Sequence, residues 1–137
     1  MAERLVGVDV GGTKVAVAVM EGSVLTEVGS WPTDVDNEDE LLDQFTTAIR
    51  AAGPADAVGI AVPSAVDFET GTARFSVNIP LAGVPLRSIL RERLGVPVYV
   101  DNDATCAALA EAYDDDRKSF ARHLVMLTVG TGIGGGI

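Results

Sequence analysis

The chain has 137 residues, the size of one ordinary domain, with ten Lys and Arg against twenty Asp and Glu and a formal net charge of -10. Hydrophobic residues make up 47% and charged residues 22%, enough apolar material to build a core. The acidic balance argues against non-specific binding to nucleic acid or to an anionic membrane face, which needs clustered Lys and Arg.

Cys106 is the single cysteine, so no internal disulfide can form, and no Cys/His group has zinc spacing. No apolar run approaches the ~20 residues of a membrane span. The opening Met1-Ala2-Glu3-Arg4, with no basic region followed by a long apolar stretch, predicts no signal peptide. These features predict a soluble protein of a reducing compartment, the cytoplasm.

Taken in chain order, residues 5–10 and 15–20 read as two Val-rich strands joined by a tight hairpin at Gly11-Gly12-Thr13-Lys14. Residues 24–31 read as a third strand, closed by Pro32. Asn37-Glu38-Asp39-Glu40 opens a helix, its acidic residues complementing the helix dipole. Leu41, Leu42, Phe45, Ala48 and Ile49 follow at helical spacing. Residues 57–62 form a short apolar run ended by Pro63, as in a buried strand. Residues 65–77 contain the turn Glu69-Thr70-Gly71 and predict a small hairpin or extended loop.

A helix is expected over 86–94, closed by Gly95. A buried strand follows over 96–100, then an Ala-rich helix over 102–113. Asp114-Asp115-Asp116-Arg117-Lys118 marks a solvated loop, and 123–129 a last strand leading into terminal glycines. Trp31 and Phe45 are expected in the core, Cys106 as a small core residue, and His123 in a structural role at the strand start. A three-strand meander followed by alternating helices and strands predicts an α/β layered domain with a mixed sheet. A glycine loop normally joins two elements. The ending Gly130-Thr131-Gly132-Ile133-Gly134-Gly135-Gly136-Ile137 therefore predicts the N-terminal piece of something longer.

Three places could carry chemistry. Asp9 lies inside an apolar strand, where a carboxylate is costly unless compensated. The glycines beside it let backbone N–H groups approach a phosphate, and Asp9 could help hold Mg²⁺, directly or through water. The alternative is a plain Gly-Gly hairpin. Asp101-Asn102-Asp103 ends a buried strand and begins a helix. Ligands gather beyond the carboxyl ends of strands in open α/β sheets, and a carboxylate there could serve as a general base. Asn and Asp also suit a helix N-cap, and the two readings are compatible. Gly130, Gly132 and Gly135 formally match G-x-G-x-x-G, weak evidence for a dinucleotide site without a following helix. No G-x-x-x-x-G-K-[ST] occurs, which excludes a P-loop.

Together these segments resemble the ROK family of bacterial sugar kinases, its glucokinases most closely. The resemblance runs from Leu5 to Ile137. It rests on Asp9-Val10-Gly11-Gly12-Thr13-Lys14, on Gly59-Ile60-Ala61-Val62-Pro63 with Val66-Asp67, and on Asn78-Ile79-Pro80 and Pro85-Leu86. It continues through Leu94-Gly95-Val96-Pro97-Val98, Asn102-Asp103-Ala104, Ala108-Leu109-Ala110-Glu111 and the terminal glycine loop.

The resemblance implies an actin-like, RNase H-like ATPase fold with two lobes around a cleft. Residues 1–122 would form the N-terminal lobe, with a mixed five-stranded sheet and flanking helices, and residues 123–137 the start of the second. It implies transfer of the ATP γ-phosphate, with Mg²⁺, to a hexose hydroxyl, with glucose the expected substrate. Asp103 falls on the catalytic base. Asn102, with Asp103, falls on the sugar site, and Asn78 and Ser64 on the segments lining it. Gly11, Gly12, Thr13 and Lys14 fall on a first phosphate loop beside Asp9, and Gly130, Thr131 and Gly132 on a second.

Many relatives have Gly where this chain has Ser64. A zinc site and further sugar ligands are expected beyond residue 137, and homo-oligomers are expected of the full-length protein. Other hexoses (fructose, mannose, an N-acetyl-hexosamine) and a sugar-responsive regulator are the alternatives. A regulator of this family carries a DNA-binding module ahead of the first phosphate motif, and here that motif begins by Leu5.

Overall fold

Alternation of Val with Gly, Ala and Asp along the first strands sends one set of side chains to each side of a sheet, because the strand period is two. In the computed structural model, which describes residues 3–130 and 133–137, the elements are β1 (Arg4–Val10), β2 (Lys14–Glu21), β3 (Val24–Pro32), α1 (Glu38–Ala51), β4 (Ala57–Val62), β5 (Ser64–Asp67), β6 (Thr72–Ser76), α2 (Leu86–Leu94), β7 (Val98–Asn102), α3 (Asp103–Glu111), β8 (Met126–Val129) and β9 (Ile133–Gly136). A five-stranded sheet has the order β3-β2-β1-β4-β7. β2 runs antiparallel to both neighbours, while β1, β4 and β7 are parallel. The carboxyl ends of those three parallel strands therefore lie along one edge, where Asp9, Ala61 and Asp101 stand in register.

One face of the sheet is the core. Val6, Val8, Val10, Val15, Val17, Val58, Ile60, Val62, Val98 and Val100 are buried there in one cluster with Leu41, Leu42, Phe45 and Ile49 of α1 and Leu86 and Leu90 of α2. Asn37 caps α1, its side chain accepting the Glu40 N–H at 2.9 Å. Gly95 ends α2 with φ 71°, a conformation glycine adopts without steric cost. The opposite face carries the small residues Gly7, Ala16, Ala18, Gly59 and Ala61 together with Asp9, and forms the floor of a groove of about 700 Å³. Phe68, Tyr99, Cys106 and Leu109 stand along it, as do Leu25 and Glu27. No helix of the described residues is long and apolar enough to cross a membrane.

Most predicted elements lie where the sequence puts them, and the differences have local causes. β7 begins at Val98 rather than 96, because Pro97 has no N–H and contributes only its carbonyl, to Val58. The strand runs on through Asp101 and Asn102, which pair with Ala61 and Val62. α3 is shorter than the 102–113 expectation, with Asn102 as its N-cap. The last strand begins at Met126, so His123 precedes it in a loop; only 126–129 find partners on β9. Phe45 is fully buried, whereas Trp31 packs half-exposed at the edge of the core. Cys106 is half-buried on the groove rather than in the core.

The terminal glycines also take a form periodicity did not predict. Ile133–Gly136 is a strand paired with β8, so the G-x-G-x-x-G pattern lacks the helix a dinucleotide site requires. A Cβ on Gly136 would stand 2.5 Å from the Ala104 carbonyl oxygen and 2.7 Å from the Ala108 Cβ. Only glycine lets β9 lie this close to α3.

Candidate active site

The first loop is built by a tight closure. Val10 and Val15 form the last pair of the β1–β2 hairpin, and the Gly11 N–H donates to the Lys14 carbonyl at 2.8 Å. Thr33 braces the loop from outside. Its hydroxyl donates to the Gly11 carbonyl at 2.7 Å, and its N–H donates to the Thr13 carbonyl at 3.0 Å. Gly12, Thr13 and Lys14 are left exposed. A Cβ on Gly12 would meet the Asn78 Cβ at 3.4 Å, so this loop lies against the segment that follows β6.

Asp9 closes the exposed row of β1 just before that loop. Partial burial raises its carboxyl above the usual carboxylate range; the charge of Asp103 raises it further, and Lys14 opposes both. The same carboxylates act on a neighbour. Burial pushes the Cys106 thiol up to about 11, with Asp101, Asp103 and Asp9 adding to the effect. Residues 94 positions apart in sequence are thus gathered around one patch at the carboxyl ends of β1 and β7, the place where open α/β sheets bind ligands.

At the junction of β7 and α3, the side-chain oxygen of Asn102 accepts from the N–H groups of Ala104 at 3.0 Å and Thr105 at 3.2 Å. Its amide nitrogen donates to the Ser64 carbonyl at 3.1 Å. An amide carries two N–H donors, so one remains for a ligand. Asp103 opens the helix and accepts the Ala104 N–H through Oδ1 at 2.8 Å. Among the described residues its Oδ2 has no hydrogen-bond partner. The Asp101 carboxylate accepts the Asn102 N–H at 2.7 Å.

Ser64 is buried, 3% exposed, and its hydroxyl donates to Ser76 Oγ at 2.9 Å. Asn78 is exposed beside Gly12. Gly130 stands at the tip of the β8–β9 hairpin with open space around it, while Thr131 and Gly132 lie outside the described residues. The structure therefore brings together Asp9, the first glycine loop, Asn78, Ser64, Asn102 and Asp103. No described hydrogen bond joins Gly130 to them.

Thr33 and Ser76 carry no functional signal in the sequence. Pro32 ahead of Thr33 marked only a strand end, and nothing local points to Ser76. The tightest carboxylate group among the described residues is Asp34, Asp36 and Glu40. It offers only oxygen and is unsuited to a structural zinc, which takes sulfur or nitrogen ligands.

The mixed five-stranded sheet with its flanking helices is the actin-like ATPase fold found in sugar kinases. The chain belongs to the ROK family, whose profile matches residues 5–137. It is 41% identical over 138 residues to N-acetyl-D-glucosamine kinase of Escherichia coli, covering 96% of this chain and 45% of that protein. Among solved structures, a ROK hexokinase from Thermus thermophilus is 35% identical with a TM-score of 0.80, covering 97% of this chain and 46% of the other. A ROK family glucokinase from Streptomyces griseus, in complex with glucose and AMPPNP, is 30% identical with a TM-score of 0.81, covering 96% and 43%. The chain thus spans about half the length of the relatives it matches.

Proposed function

We propose that the full-length protein containing this chain transfers the γ-phosphate of ATP to a hexose hydroxyl, with glucose as the first candidate, and that Asp103 is the general base. The observation that carries the reading is the convergence of Asp9 and Asp103 beside the Gly11–Gly12 loop at the carboxyl ends of parallel strands. Asp103, with a free carboxylate oxygen, accepts the proton of the sugar hydroxyl as that oxygen attacks phosphorus and ADP leaves. Asn102 and Asn78 orient the sugar, with Ser64 supporting Asn102 from beneath. Gly11, Gly12, Thr13 and Lys14 receive phosphate on one side, and Gly130, Thr131 and Gly132 receive it on the other. Such catalysis is mostly positioning and electrostatics.

Asp9 fits a Mg²⁺ role. It is an oxygen donor, exposed enough to leave room for coordinating waters, and repelled by Asp103 in a way a cation relieves. Bound Mg²⁺ supplies neutralisation of phosphate charge. Residues 123–137 begin the second lobe in this reading. The 137 residues alone hold the base and part of the phosphate site, and do not phosphorylate glucose at enzymatic rates.

A second reading, N-acetyl-glucosamine as the sugar, is favoured by the 41% identity to an N-acetyl-D-glucosamine kinase. ATP-dependent phosphorylation of a hexose panel by the full-length protein tests both. Turnover of glucose above N-acetyl-glucosamine supports the first, and the reverse order supports the second. Absence of phosphorylation across the panel refutes the kinase reading.

A further inference from the structure

The buried polar side chains among the described residues are Thr46 and Ser64. Thr46 donates to the Leu42 carbonyl at 2.8 Å, one turn back on its own helix, the usual way a helical hydroxyl is satisfied. Ser64 instead ties separate elements. Its hydroxyl reaches Ser76 across the end pair of the β5–β6 hairpin, and its carbonyl holds the amide of Asn102. Asn78 follows two residues after Ser76 and packs against the Gly12 position. One buried serine therefore stands between the Asn78 segment and the Asn102–Asp103 helix start.

A buried hydroxyl pair adds little net stability over an apolar pair of the same shape. It does hold the two oxygens to a narrow separation, because hydroxyl pairs bond over about 2.5–3.0 Å and weaken steeply at poor angles.

Resting on the hexose-kinase reading, we infer that Ser64 and Ser76 form a positioning clasp that sets the spacing between the Asn78 segment and Asn102–Asp103, and through it the affinity for hexose. Neither hydroxyl meets a reacting atom. Both act through the asparagines they locate.

Steady-state kinetics of the full-length protein, with hexose and ATP varied separately, test this. Ser64→Ala and Ser76→Ala each raise the hexose KM about three- to tenfold while kcat and the ATP KM stay within about twofold. The double variant is no worse than either single, because both remove the same bond. Ser76→Thr keeps the hydroxyl and returns the KM to the wild-type value. A hexose KM unchanged in both single variants, with only a lower melting temperature, overturns the clasp, as do additive effects of the two substitutions. A wild-type protein that neither binds nor phosphorylates any hexose overturns the kinase reading and the clasp together. Wild-type activity with insensitive variants overturns the clasp alone.

Discussion

Asp9 at the end of β1 and Asp103 at the start of α3 stand close enough for the charge of one to act on the other. Burial is the larger cause of the raised Asp9 carboxyl, Asp103 the second, and Lys14 counters them. The folded protein therefore binds a proton at Asp9 more readily than the unfolded chain does. The sign follows: ionised Asp9 costs stability as pH rises through its raised value. Asp9→Asn is expected to stabilise the metal-free protein slightly at neutral pH, with the gain vanishing below the ordinary value of 3.8. Thermal melts across pH check this. On the proposed hexose-kinase reading, the same substitution in the full-length protein should raise the Mg²⁺ needed for half-maximal activity on the order of tenfold.

Asp103→Asn keeps the size of the side chain and removes the carboxylate proposed as the base. We expect kcat of the full-length protein to fall about 10²- to 10⁴-fold, the usual contribution of a positioned base. Hexose affinity should change far less, read from binding titrations beside the kinetics. Retention of full turnover would exclude Asp103 from proton transfer.

Asn102 caps α3 and is proposed to bind the sugar, and substitution can separate the two. Asn102→Ala removes the cap on Ala104 and Thr105 and the bond to Ser64, and should cost about 1 kcal/mol or more in denaturant unfolding. Asn102→Ser keeps a capping oxygen and loses only the amide donor. Its stability should lie nearer the wild type, while its hexose KM rises as in the alanine variant.

Cys106 should be slow to react. Burial, followed by Asp101, Asp103 and Asp9, holds its thiol near 11 against an ordinary 9.0. The reactive thiolate is then about 100-fold scarcer at neutral pH. Iodoacetamide labelling of the native protein is expected to run one to two orders of magnitude slower than after unfolding in denaturant, as counted by mass spectrometry.

The β5–β6 turn has an acid-sensitive clasp. The Asp67 carboxylate pairs with Arg74 and accepts from the N–H groups of Thr70 at 3.3 Å and Glu69 at 3.1 Å. The Arg74 side chain is the largest cause of its lowered value. This contribution is present above the unfolded carboxylate value and is lost as pH falls through the lower folded one. Asp67→Asn should weaken the hairpin at neutral pH and flatten the loss of stability below about pH 4, because the variant has no carboxyl left to titrate there, as thermal melts across pH would read.

Much of this was legible residue by residue. The alternation in Arg4–Val10 and Lys14–Glu21, the Asn37 cap and the Gly95 stop all act within a few positions of chain. Local rules therefore found the elements that build the sheet and its two covering helices. Local rules failed where a partner far away decides. β7 extends to Asn102 because β4 offers Ala61 and Val62 to pair with. The triple glycine is a strand because β8 pairs with it, and α3 leaves no room for a Cβ at Gly136. Ser76 has no sequence mark because its function depends on Ser64, twelve residues earlier.

By itself the sequence determined the residue types of the candidate site and their order along the chain: a carboxylate before a glycine loop, an asparagine after a hairpin, an Asn-Asp pair at a helix start. Turn chemistry, capping and strand period all operate at short range, so those features can be read without coordinates. Only the tertiary structure decided that these residues meet. Parallel pairing of β1, β4 and β7 brings their carboxyl ends to one edge, and there the charge of Asp103 reaches Asp9 across 94 positions of sequence. Register and burial are long-range properties, set by which strands pair and which face the helices cover.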